Sequence, residues 1–156
     1  QNFATGCTVM INRELRRLAL PIPHGALMHD WWLALAATAF GRVAAVEEAT
    51  VLYRQHGLNE TGAARWSFLA NARLFVRREE RQAAVALLAA ALMRQQGQAA
   101  AFLGRYAERL PRPKQRLLRA FCSLGQRNGI VRRYLTLRYR FLYSNIQRNL
   151  GLLLSI

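Results

Sequence analysis

Apolar residues run almost without a break from Trp31 to Phe40, and a helix that is apolar on every side is a buried one. Asp30 stands at its head, and Gly41 supplies its stop. The pattern differs on either side of this block. Upstream, Gly6 offers one permissive position in a loop, and Thr8-Val9-Met10-Ile11 reads as a short β-type run. Asn12 is placed to cap a helix over 13–20, with Glu14 near its positive end. Pro21-Ile22-Pro23 ends that helix, and 24–28 is a connecting loop. Downstream, 42–45 and 50–53 read as two short strands about a Glu47-Glu48 turn, followed by a loop over 57–62.

Beyond Ala63 the strand signal is nearly absent. Trp66, Leu69, Ala70, Leu74 and Phe75 share a helical face, and the period continues through Val85, Leu88, Leu92 and Met93. Gly97 is expected to break it. Further helices are expected over 99–110 and 114–124, with Pro111 and Pro113 as punctuation and a turn at 125–129. The last segment, 130–150, is the most amphipathic. Its Tyr134, Leu135, Phe141, Leu142, Ile146 and Leu150 are expected to face away from Arg132, Arg133, Arg140 and Arg148. The periodicity therefore predicts a mainly α chain with a few short strands.

Composition adds one large fact. The 156 residues are 53% hydrophobic, enough for one domain with a real core, and carry a net charge of +15. Residues 1–62 hold five arginines against five acids, so the remaining eighteen basic residues and three acids of 63–156 account for the whole excess. A cationic segment of that kind calls for an anionic partner or surface. Of the 23 basic residues only Lys114 is a lysine, a ratio that GC-rich coding explains more simply than selection for guanidinium forks. Cys7 and Cys122 have no metal-type spacing, so reduced thiols are the default. No apolar run reaches a membrane span, and there is no signal-peptide pattern. The chain opens on Gln1-Asn2 rather than Met, which leads us to expect a preceding N-terminal part.

Two histidines and one acid carry the candidate chemistry. Asp30, next to His29 and followed by Trp31 and Trp32, is either a helix cap or a general base in a water-poor setting. His56, ending Tyr53-Arg54-Gln55-His56, is either a hydrogen-bonded strand-end residue or a ligand for a divalent metal. Arg54 suits phosphate oxygens or the nearby Glu47 and Glu48. His29 fits a pocket wall, and Trp31 suits either the core or a sugar-stacking platform.

Three segments in one order, 3–13 (Phe-Ala-Thr-Gly-Cys-Thr-Val-Met-Ile-Asn-Arg), 28–35 (Met-His-Asp-Trp-Trp-Leu-Ala-Leu) and 52–59 (Leu-Tyr-Arg-Gln-His-Gly-Leu-Asn) with Gly62, resemble the second half of a family 2 glycosyltransferase. The similarity is to the bacterial rhamnosyltransferase-like branch that builds surface polysaccharides, and it covers roughly residues 2–62. It implies the C-terminal fragment of a GT-A α/β domain: 1–62 would be the acceptor side of the catalytic domain, and 63–156 a basic helical extension. It implies an inverting transfer from a nucleotide-sugar donor to a glycan or lipid-linked acceptor, with Asp30 as catalytic base and His56 as ligand to Mg or Mn. Thr5, Gly6, His29, Trp31 and Arg54 would then line the sugar sites.

The family's Asp-x-Asp motif is missing, because Asp30 is the only aspartate. The isolated chain is therefore expected to be inactive and to hold no metal. It is also expected to oligomerise or rearrange so as to cover apolar surface around 3–11 and 43–53. The resemblance places the enzyme in the cytoplasm, peripheral at the inner membrane face, where the cationic tail would meet anionic lipid. A basic nucleic-acid-binding module and a helical adaptor are the competing readings. The first lacks any recognised binding signature.

Overall fold

The computed structural model describes residues 5–52, 54 and 78–142. A 3-10 turn at Gly6–Thr8 leads to α1 (Arg13–Ala19) and α2 (His29–Phe40). Then come α3 (Arg78–Tyr106), α4 (Arg112–Ser123), a second 3-10 turn at Leu124–Gln126, and α5 (Gly129–Arg138). At Asn12 and Gly41 the backbone obeys the caps that the sequence placed. Asn12 Oδ1 accepts the Leu15 N–H at 2.8 Å, and the Gly41 N–H closes α2 on the Ala37 carbonyl at 2.8 Å.

Three expectations are corrected. No strand occurs among the described residues. The segments expected as strands at 8–11, 42–45 and 50–53 are, where described, a turn or irregular chain, with Met10 and Leu52 fully open to solvent or nearly so. A strand is not a local structure, since its N–H and C=O groups need a neighbouring strand, and none lies beside these segments among the described residues. Tyr53 itself lies outside the described residues.

Gly97 does not break the chain. α3 runs through both Gly97 and Gly104. An interior glycine costs a helix about 1 kcal/mol, and burial of Ala99, Phe102 and Tyr106 along the same helix outweighs that. A Cβ built at Gly97 meets nothing within 4 Å. Gly97→Ala is therefore expected to raise stability by about 0.5–1 kcal/mol, seen as a higher melting temperature. A lower one would mean that the glycine serves a packing role.

The last helix stops at Arg138. Arg140 turns into the left-handed region at φ 53. Its N–H bonds the Leu137 carbonyl at 3.2 Å, while the Phe141 N–H reaches back to Thr136 at 2.9 Å. This is a Schellman close with arginine where glycine is usual. The hydrophobic contact that accompanies it is Phe141 edge-on to Phe121 of α4, ring centroids 5.2 Å apart. The remainder of the expected helix, 143–150, lies outside the described residues.

The chain forms two compact units, Gln1–Val43 with Ala91–Ile156, and Ala44–Ala90. The boundary expected at 62/63 lies outside the described residues. In the first unit Ala19, Trp32 and Ala36 are buried together with Ala99, Phe102, Tyr106, Leu110 and Leu118, so the neutral front and the cationic helices share one core. Phe102 and Tyr106 rings lie 4.7 Å apart, and Phe40 meets Tyr106 edge-on at 5.2 Å. Each such pair adds about 0.5–1.5 kcal/mol beyond area burial. The second unit contributes an exposed irregular stretch over 44–52 and the first turns of α3.

Part of the positive charge is structural. Arg105 donates to the carbonyls of Leu18 (3.4 Å), Leu20 (2.6 Å) and Pro21 at the end of α1. Lys114, the lone lysine, caps α2 through Thr38 O (3.0 Å) and Ala39 O (2.7 Å). A cation at a helix C-terminus satisfies orphan carbonyls and opposes the negative dipole end.

Tyr106 adds a pH dependence. Its buried hydroxyl donates to Leu18 O at 2.7 Å. Burial pushes the phenol above its ordinary value of 10.0, and Arg105 and Arg109 pull it part of the way back. The folded chain therefore keeps this proton to higher pH than the unfolded chain does. The stability it contributes is present below about pH 10 and declines as pH rises past that value. Denaturant midpoints measured on either side of it should show the fall, and Tyr106→Phe should flatten it.

Candidate functional site

The site grows from the N-terminus of α2. Met28 occupies the capping position in extended backbone, with no side-chain cap bond. Asp30 is therefore the second helical residue rather than the cap. Its carboxylate works in two directions. Oδ1 accepts the Trp31 N–H at 2.8 Å, within the first turn. Oδ2 accepts the Gly6 N–H at 3.1 Å, from a loop 24 residues upstream. Hydrogen bonds from backbone amides to a carboxylate are charge-assisted and stronger than neutral ones. They explain why the 3-10 turn at Gly6–Thr8 lies on the mouth of α2.

Gly6 has a steric reason to be glycine. A Cβ there would lie 2.6 Å from His29 Nε2 and 3.7 Å from the Asp30 Cβ. His29 is exposed, so its imidazole closes over the loop from the solvent side. Thr5 holds the other end of the turn, its carbonyl accepting the Thr8 N–H at 2.8 Å and the Thr8 hydroxyl at 2.9 Å.

Four of the residues singled out from the sequence thus come together: Thr5, Gly6, His29 and Asp30. Trp31, the next helical residue, is half-buried. Arg54 is exposed and belongs to the other compact unit. His56 lies outside the described residues. Trp32 is not a second shield for the acid. It is wholly buried in the core, its Nε1–H donating to Ala19 O at 3.0 Å. A single step along the helix separates a mouth residue from a core residue here, because adjacent side chains point about 100° apart.

Asp30 is itself only 5% exposed. A general base must reach its proton at hydrogen-bond distance, so in this conformation the carboxylate is nearly closed to an incoming hydroxyl. Among the described residues no three His, Cys, Asp or Glu side chains converge to hold a metal. The described donor set therefore does not fit the divalent ion by itself.

Sequence reasoning missed Gln98. Buried on α3, it accepts the Leu27 N–H through Oε1 at 2.7 Å and so fixes the loop that delivers Met28 to the start of α2. A glutamine amid alanines carries no sign of this, because its partner lies 71 positions away. Searches against protein-family models, curated proteins and solved structures return no match to this chain.

Proposed function

We propose that this chain is the acceptor-side part of an inverting glycosyltransferase of the GT-A type, acting at the inner membrane face on a glycan or lipid-linked acceptor. The observation that carries the reading is the Gly6 N–H···Asp30 Oδ2 bond under the His29 imidazole. Two motifs far apart in sequence, Thr5-Gly6 and His29-Asp30, meet at one helix mouth, as a sugar site assembled from them requires. In this reading the Gly6 amide holds the carboxylate in place between turnovers. An incoming sugar hydroxyl exchanges with that amide, gives its proton to Asp30 and attacks the anomeric carbon, while the nucleoside diphosphate departs. His29 and Trp31 flank the entry.

The nucleotide-binding half of such an enzyme would precede Gln1. The test is a transfer assay with nucleotide-sugar donors on the 156 residues alone and on the longer chain that contains them. Turnover by the longer chain only is the expected result, and turnover by the isolated residues would overturn the half-site reading.

A further inference from the structure

After Glu108 the sequence holds eleven basic residues and no acid, and the structure shows what one helix of this segment does with its surface. On α5 the inward side is made by half-buried Val131 and Leu135 with buried Thr136. Three large apolar residues remain outside: Ile130 at 79% exposure, Tyr134 at 62% and Leu137 at 54%. At 3.6 residues per turn they form one stripe within about 40° of Ile130. Arg133 lies about 60° to one side of Ile130 and Arg138 about 80° to the other, and both are exposed. This is not the apolar face that the periodicity assigned, since Leu135 turns inward and Phe141 packs on Phe121.

We propose that this face of α5 is a docking surface for an anionic lipid bilayer. Ile130, Tyr134 and Leu137 enter the boundary between headgroups and acyl chains, and Arg133 and Arg138 meet lipid phosphates on either side. A helix lying in the interface needs a continuous apolar stripe, an amphipathic aromatic and cations at headgroup level. α5 has each of them.

Other occupants fit less well. A ten-residue helix is about 15 Å long, so a pair of such faces buries far less than the roughly 800 Å² per partner of a stable dimer. Antiparallel pairing would also set arginine against arginine. A nucleic-acid backbone would use the guanidinium groups but leave the stripe in water. The proposal stands on α5 alone and is independent of the transferase reading.

The test is co-sedimentation of the whole 156-residue chain with phosphatidylcholine vesicles, with and without phosphatidylserine. Binding is expected only with phosphatidylserine and should weaken with salt. Ile130→Ser/Leu137→Ser changes no charge, yet should lower partitioning about tenfold. Arg133→Gln/Arg138→Gln should lower it about fivefold for each arginine removed. Tyr134→Trp should add fluorescence that brominated acyl chains quench, which confirms insertion at this site even if another variant folds poorly. Equal binding to both vesicle types, no binding to either, unchanged binding by the serine variant, or an unquenched indole would each overturn the proposal. So would a dimer in solution that the serine variant abolishes.

Discussion

Trp32→Ala is expected to cost about 3–5 kcal/mol, a large share of the roughly 5–15 kcal/mol that holds a domain together. The indole has no solvent exposure. It meets Phe102 edge-on at 5.2 Å and Tyr106 at 6.0 Å, so its removal opens a cavity at the junction of α2 and α3. A second loss follows. Ala19 O, in a fully buried residue, accepts the indole N–H and would be left without that partner, a penalty of about 1–3 kcal/mol. The guanidinium of Arg105, 6.0 Å from the indole centroid, would lose its aromatic neighbour as well. Urea denaturation followed by circular dichroism measures the sum. Trp32→Phe keeps much of the volume and should cost less. A Trp32→Ala loss under about 1 kcal/mol would contradict the core as described.

On the proposed transferase reading, Asp30→Asn is expected to lower sugar transfer about 10²–10⁴-fold if the acid acts only as general base. The same change carries a structural signature that the isolated chain reports. Each Asp30 oxygen accepts a backbone N–H. Asparagine offers one acceptor oxygen and one NH₂ donor, so one of the two amides must face a donor. The Gly6 amide is the weaker partner, at 3.1 Å against 2.8 Å for Trp31, and should be the one released. Faster hydrogen exchange at Gly6 in Asp30→Asn, with the rest of α2 still protected, is the expected result.

Asp30→Glu separates the two roles. It keeps a base but moves it by a methylene, so activity should fall while exchange at Gly6 rises only in part. Full transfer activity in Asp30→Asn would remove Asp30 from the chemistry and leave it as the residue that anchors the loop. Gly6→Ala approaches the same contact from the other side. Its Cβ, 2.6 Å from His29 Nε2, drives the imidazole outward, and adding His29→Ala should restore the turn.

How far the site could be read from the sequence follows from the range of each interaction. Asp30 in the first turn of an apolar helix was plain, because the preference for an acid there and the helical period act within a few residues. The resemblance put Thr5-Gly6 and Asp30 at the same sugars but did not pair Gly6 with Asp30. No local rule links positions 24 apart. The separation of Trp31 from Trp32 could not be read at all. Which of two adjacent indoles enters the core depends on where α3 lies, and α3 begins at Arg78. Arg105 and Lys114 looked like members of one cationic surface. Their roles as caps for α1 and α2 exist only because the front and rear of the chain fold together.

The sequence by itself determined where α1 begins and ends, where α2 ends, the apolar character of α2, the cationic rear half and the acid at the helix mouth. Those are consequences of backbone capping, side-chain period and charge, which need no distant partner. Only the tertiary structure decided that Gly97 continues a helix, that 42–52 forms no strand, that the last helix closes at Arg138, and that the Gly6 turn covers Asp30. In each case two local conformations lie within about 1 kcal/mol of one another, and burial or pairing against residues dozens of positions away selects between them.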